Sequence, residues 1–443
     1  MKKFLLLLLV LSLAVRLIAP ARAEETITVA PLGTETEDDG GDEENEETGD
    51  TETAVYETLA EALEAAKYSD ESEVIIEIAS DAETVQSLDA AVDFEDTAVE
   101  SITIIGTGST RIIMNDEGYR HFLINNSGFT LGLKDLTISG GGARVEAGTL
   151  SADHVTFRDG DASSLEDEDG NAGGAVSVGA GGTAAFSACT FTANTSGRGG
   201  AIYSAGKVTC SDGTIFSANS AAEGGAIYLE DADSAVLAFE GDTGVTFRGN
   251  TAQEAGGAVY ASRNSKLTSE AGVTFDGNNA GGGQGGALWI HMGSQLEGLA
   301  SALAFTGNHA SLGGAIYIAI DAQSTASFSP PCEYSFTGNH AENGGAICSV
   351  HADVVIDTQT ISGANTASAA GGFVYGGGNV TVRSSAISGQ RAQRGGAIYS
   401  AGTVTVEDGS VFSSNSAEAG SLRPVSGGGA IFVEGRITIT SSD

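Results

Sequence analysis

Proline is nearly absent from this chain, five residues in 443, and cysteine is scarcer still at four. So few cysteines in so long a chain cannot form the disulfide framework of a small secreted domain. Basic residues are few: 20 Lys and Arg stand against 59 Asp and Glu, a formal net charge of −39. A surface of that sign repels nucleic acid and anionic lipid, so no nucleic-acid partner is expected. After the first residues, no apolar run approaches the roughly 18 residues that suggest a membrane-spanning helix. Zinc-ligand spacings, a Gly-x-Ser-x-Gly elbow, a phosphate loop and a dinucleotide fingerprint are all missing. The many Gly-Gly pairs are not phosphate loops, because no Lys-Ser or Lys-Thr follows them in register.

Glycine is what the chain has in excess. Its 63 residues are about twice the usual share of roughly 7 %. No Gly-x-y period accompanies them, which excludes collagen and points to many turns or close backbone contacts.

The N-terminus reads as an export signal over residues 1–23. Lys2 and Lys3 precede an apolar run from Phe4 to Val15, and Ala21-Arg22-Ala23 suits a small-x-small cleavage site. Cleavage there removes Lys2, Lys3, Arg16 and Arg22 and leaves a chain near −43. An exported chain that lacks a cysteine just after the cut and ends Arg436-Ile437-Thr438-Ile439-Thr440-Ser441-Ser442-Asp443 shows no further anchor, so no transmembrane segment is expected in the mature chain. Residues 24–52 read as an acidic disordered linker, since residues 33–52 are crowded with carboxylates that repel one another. Residues 53–70 read as a short helix. Val55, Leu59, Leu63 and Ala66 recur at three- and four-residue steps, and such a helix could cover the open end of a following β structure. Residues 71–154 hold short strand-like runs such as Glu73–Ile78 and Ser101–Ile105 and read as irregular early coils.

Over residues 155–443 a repeat takes over. Phe-x-x-Asn occurs at Phe191, Phe216, Phe247, Phe275, Phe305, Phe336 and Phe412. Gly-Gly-Ala-aliphatic starts at Gly173, Gly199, Gly224, Gly256, Gly285, Gly313, Gly344, Gly371, Gly395 and Gly428, with Phe373 replacing Ala in one copy. The step between copies averages about 28 residues, a period typical of stacked repeats. Ile361-Ser-Gly-Ala and Ile387-Ser-Gly-Gln stand where Phe-x-x-Asn would fall, and an insertion is expected near Ser421–Pro424. Each unit holds three short β runs and no helical pattern, so equivalent strands should pair in parallel from coil to coil, about 4.8 Å apart. The predicted fold is all-β: a single-stranded right-handed parallel β-helix, a solenoid, with an N-terminal capping helix. Phe should stack inward, and Asn should bond along its ladder.

The residue after the aliphatic position should face outward. It forms a stripe of Tyr203, Tyr228, Tyr260, Trp289, Tyr317, Tyr375 and Tyr399, interrupted by Cys348 and flanked by Ser177 and Phe432. Two readings stand. The rings can simply stack along the ladder, or they can form a binding platform for a glycan or a partner protein.

The paired motifs resemble the repeats of the chlamydial polymorphic outer membrane proteins over roughly residues 155–435. The resemblance implies a β-helical surface adhesin at the cell outer membrane, in a family of autotransporters. Their C-terminal β-barrel has no counterpart after these coils, so anchoring by that route is not carried over. The alternatives are a polysaccharide lyase or glycoside hydrolase on the same scaffold, favoured by a groove of three or four carboxylates with a basic residue, and a structural spacer, favoured by a fully packed stripe.

Individual candidates each have a plain reading beside a functional one. Asp231 and Asp233 are a carboxylate pair or a solvated turn. Leu165–Asp169 is a weak Ca²⁺ site or a solvated loop. His309 and His340, one coil apart, are metal ligands or surface decoration. Cys189 with Cys210, and Cys332 with Cys348, are possible disulfide pairs. No catalytic residue and no required cofactor is singled out.

Overall fold

The computed structural model describes residues 24–30 and 54–440, apart from residues 81, 117, 165–170, 231, 233, 263, 292–293, 298–301, 320–324 and 419–426. The export segment, the acidic stretch 33–52, Leu165–Asp169, Asp231, Asp233 and the insertion at Ser421–Pro424 lie outside the described residues.

The described chain is a parallel β-solenoid with one α-helix, Leu59–Lys67. Equivalent strands pair in parallel at each step, as where Phe216 lies opposite Phe247 and Phe247 opposite Phe275. The Phe ladder is continuous. Phe157, Phe191, Phe216, Phe247, Phe275, Phe305 and Phe336 stack nearly parallel with ring centroids 4.7–5.0 Å apart. That spacing equals the distance between paired strands, so each ring meets its neighbour without leaving its rotamer. Phe186 meets Phe191 edge-on at 4.9 Å, and Phe239 meets Phe247 edge-on at 5.8 Å, which ties a second wall of the coil to the column.

The two coils without Phe-x-x-Asn keep this core. Ile361 and Ile387 are buried in the place of Phe. Ile361 is smaller, and Phe373, the residue that replaces Ala, meets Phe336 edge-on at 5.5 Å. One substitution fills the space left by the other. The Asn ladder also continues: Asn339 donates to Asn365 at 2.9 Å, and Asn365 donates to Gln390 at 3.0 Å.

The paired glycines have different tasks. Gly224 adopts φ +62°, the left-handed region open to glycine. Gly225 meets the next coil so closely that a Cβ would lie 2.1 Å from the carbonyl oxygen of Gly257.

At the N-terminal end the helix packs on the first strands. Thr58 is its N-cap, and Glu61 completes a capping box. Leu59, Ala62, Leu63 and Ala66 are buried, and each leucine contributes about 1.5–3 kcal/mol by leaving water. Val55 is not on the helix. It lies in the strand Ala54–Tyr56 and is 47 % exposed.

Glu24–Val29, expected as linker, is a strand. It pairs in parallel with Glu73–Ile78 on one side and with Ala54–Tyr56 on the other. Thr26-Ile27-Thr28-Val29 is a run of β-branched residues that alternates polar with apolar, and Ile27 and Val29 enter the core. The acidity of the residues that follow masked this short alternation. Ala54–Tyr56 is therefore the end rung, outside a strand that precedes it in sequence.

Cys189, Cys210 and Cys348 are buried free thiols, so neither of the two possible disulfides is formed. Cys210 lies opposite Phe186, in the column of inward side chains that also contains Phe239. Cys189 and Cys210 fill core positions as small apolar groups, and Cys348 is buried in the row of Trp289 and Tyr317.

Candidate functional site

The stripe residues occupy one unbroken row of the outer ladder. Tyr203 pairs with Tyr228, Tyr228 with Tyr260, Tyr260 with Trp289 and Trp289 with Tyr317. After Cys348 the row resumes at Tyr375, Tyr399 and Phe432. Strand alternation puts Ile202, Ile227 and Val259 inward and leaves the next residue outward.

The rings spend their faces on one another. Tyr228 and Tyr260 stack at 4.8 Å, Tyr260 and Trp289 at 4.2 Å, Tyr375 and Tyr399 at 4.8 Å, and Tyr399 and Phe432 at 5.5 Å. Tyr228, Trp289, Tyr317 and Tyr399 are each at most 8 % exposed, while Tyr203, Tyr260 and Tyr375 are half-buried. Ala255, Leu312, Ala319 and Val350 pack against the middle of the row. A sugar ring laid flat on the row would find each inner face already covered. Edges and hydroxyl groups are what the row presents to solvent.

A second row runs beside the first and holds its ends. It is formed by the residue just before each Gly-Gly pair, and Arg198, Glu223, Ala255, Gln284, Leu312, Asn343, Ala370 and Arg394 succeed one another along it. The guanidinium of Arg198 lies 5.0 Å from the Tyr203 ring centre and 5.6 Å from that of Tyr228. It also pairs with Glu230 at 2.9 Å, and the Tyr203 hydroxyl donates to Glu230 at 2.6 Å. The far end repeats the device. Arg394 lies over Tyr399 and Phe432 at 5.3 and 5.9 Å, and the Tyr399 hydroxyl donates to Glu434. Between them, Trp289 Nε1 donates to Gln284 at 3.0 Å. Cations over aromatic faces are favourable, more so when partly desolvated. Sequence reasoning passed over Arg198, Arg394, Glu230 and Glu434. Aligning the repeats on the position before Gly-Gly would have found the two arginines.

Burial dominates the ionisation of the row. It pushes the Tyr317 hydroxyl up to about 12. Burial and then the Glu434 carboxylate push Tyr399 up to about 12. Burial raises Tyr228 and Tyr260 as well, reinforced by Glu230 and Glu223. At neutral pH the row is a set of neutral donors beside carboxylates.

The remaining candidates are dispersed. His309 and His340 do come together, with rings stacked at 5.3 Å. His309 Nδ1 faces Asn279 Oδ1 at 3.3 Å, and His340 Nδ1 faces Thr366 Oγ1 at 2.8 Å. No group of three or more His, Cys, Asp or Glu side chains suited to a metal occurs among the described residues. Nor is any described helix long and apolar enough to cross a membrane, which says nothing of β-barrels.

Against known families, five stretches match one model, the Chlamydia polymorphic membrane protein repeat: residues 188–205, 213–230, 244–262, 302–319 and 333–350. This chain carries polymorphic membrane protein repeats. Each matched stretch runs from the Phe-x-x-Asn turn through Gly-Gly to the stripe position. The coil of Phe275 and Trp289 lies outside the matches but stacks in the same columns. No curated protein and no solved structure matches the chain.

Proposed function

We propose that the chain is a surface-associated β-helical protein of adhesin type, acting by contact and not by catalysis. One observation carries this reading: the polymorphic membrane protein repeats set like residues above one another in continuous rows. Over residues 155–443 repetition builds a uniform lateral face suited to contact along its length, whereas an active site needs unlike groups at one place; the carboxylates and arginines that gather in the earlier coils are what an enzyme reading would rest on. The matched family's name, a membrane protein repeat, supports a membrane-associated setting, consistent with the export signal read at the N-terminus.

The contact face includes the open edges of Tyr203, Tyr260 and Tyr375, with Arg198 and Arg394 beside them. Because the ring faces are stacked, this row suits a protein surface or an edge-on glycan better than a flat-stacked sugar. The burial of Trp289 and Tyr317 favours a second reading, a spacer in which the row only stiffens the rod.

The test is an array of polysaccharides and surface glycoproteins, read for binding and for product release. The adhesive reading expects binding without turnover that weakens when Tyr203, Tyr260 and Tyr375 are changed together to Ala, with the fold intact by circular dichroism. Binding that survives the triple change would remove the row from the contact face, and product release would overturn the non-catalytic reading.

A further inference from the structure

The stripe's row does not end at Tyr203. It continues toward the N-terminus through Ser177, Arg144, Leu123 and Asp93. Aromatic rings give way there to charged groups, and a cavity of about 590 Å³ opens over three successive coils. Its size falls within the roughly 300–1,000 Å³ of small-molecule sites.

Two features make it a built site. The first is Arg120, a lining residue only 2 % exposed. Its guanidinium donates to the carbonyls of Gly141 at 3.1 Å, Gly173 at 3.0 Å and Ala172 at 2.7 Å. A cation buried in this way is fixed in position and forms a rigid wall. The second is the mixture of groups around it. Arg144 Nε donates to Glu146 at 2.6 Å. Asp93 and Glu95 are exposed and line the same cavity, and Asp93 Oδ1 accepts from the Glu95 amide at 2.9 Å. Tyr119 also lines the cavity, 44 % exposed, and no other ring stacks on it among the described residues.

The chemistry selects the ligand class. Carboxylates outnumber guanidinium groups in the lining, and the whole chain is strongly negative. An anionic ligand is disfavoured. A ligand that fits must bring several donors for the carboxylates, acceptors for the arginine side, and an apolar face for Tyr119. A neutral sugar has all three: hydroxyl groups that both donate and accept, and a C–H face. We propose that this cavity, separate from the aromatic row, is a binding site for a neutral saccharide residue. The proposal goes beyond the surface reading and does not need the stripe.

The experiment is titration calorimetry of the full mature chain with neutral oligosaccharides and their uronic-acid counterparts, with and without EDTA. The expected result is binding of a neutral oligosaccharide, weaker binding of the uronic-acid form, and no effect of EDTA. Asp93→Asn and Tyr119→Ala should each weaken binding about tenfold or more, while Arg248→Ala, an exposed change several coils away, leaves it unchanged. Asp93 is exposed and its change isosteric, so that variant tests the site even if Tyr119→Ala disturbs the fold. Absence of neutral-sugar binding, binding indifferent to Asp93→Asn, or loss in EDTA overturns the proposal. Loss with Tyr260→Ala but not with Asp93→Asn overturns it while leaving the surface reading in place.

Discussion

Asn219 donates its side-chain amide to Oδ1 of Asn250 at 2.9 Å, one coil away. The same amide donates to the Phe191 carbonyl at 3.1 Å. The Asn219 oxygen in turn accepts from the backbone and side-chain nitrogens of Asn194, at 3.1 and 2.9 Å. Its side-chain polar groups are met inside the core, and the pattern repeats from coil to coil. Leaving such a group buried without partners costs about 1–3 kcal/mol, so each rung depends on the next.

Replacing one rung should therefore be severe. Asn250→Leu removes acceptors for the Asn219 backbone and side-chain amides, and donors for the Phe216 carbonyl and Asn278. We predict a loss of about 2–5 kcal/mol, read by denaturant unfolding. Hydrogen exchange should quicken mainly in the adjoining coils, because each coil touches only its neighbours. An unfolding midpoint equal to the parent's would sink the claim that the ladder stabilises the rod.

The glycines offer a matched pair. Gly225→Ala would press a methyl group to within 2.1 Å of the Gly257 carbonyl, whereas a Cβ at Gly282 meets nothing within 4 Å. Gly225→Ala should markedly lower the thermal midpoint, and Gly282→Ala should shift stability by less than about 0.5 kcal/mol. Equal midpoints for the two variants would mean that coil spacing tolerates the extra atom.

His121 is fully buried with no hydrogen-bond partner at either ring nitrogen among the described residues, and burial pushes its pKa down to about 4. It is held neutral in the fold and takes up a proton more readily when unfolded. Its contribution is present above about 6.5 and is lost as pH falls from there through about 4. Thermal midpoints measured across that window should fall more steeply for the parent than for His121→Phe. Parallel curves would remove His121 from the acid response.

The buried thiols should be inert. Burial pushes Cys189 and Cys348 up to about 12 and raises Cys210 as well. Reaction needs the thiolate, so an aromatic disulfide reagent at neutral pH should label these three only after denaturant is added. Prompt labelling of the native chain at any of the three would contradict their burial.

Much of the solenoid is legible in the sequence because its physics is one-dimensional. Phe in one strand and Gly-Gly ahead of another recur with the coil, and period-two alternation assigns inward and outward faces. The resulting columns follow from spacing alone, so the Phe stack, the Asn ladder and the shared column of Tyr203 to Tyr399 are all legible, while the burial of Tyr228, Trp289, Tyr317 and Tyr399 is not. Ladder continuity at Asn365 and Gln390 was harder to see. One lies a residue later than the motif, and the other uses a longer side chain to reach the same point.

What the sequence determined by itself is the repeat, and with it the parallel stacking and the identity of the core columns, since those depend only on residues one coil apart. Tertiary structure alone decided three things. It turned the aromatic row's faces inward on one another, because ring orientation depends on the neighbouring row that carries Arg198 and Gln284. It tucked Glu24–Val29 between Ala54–Tyr56 and Glu73–Ile78, a pairing out of chain order that no local pattern encodes. It also gathered Asp93, Tyr119, Arg120 and Glu146 around one cavity. These residues come from different coils and share no motif, and only the stacking of those coils brings them together.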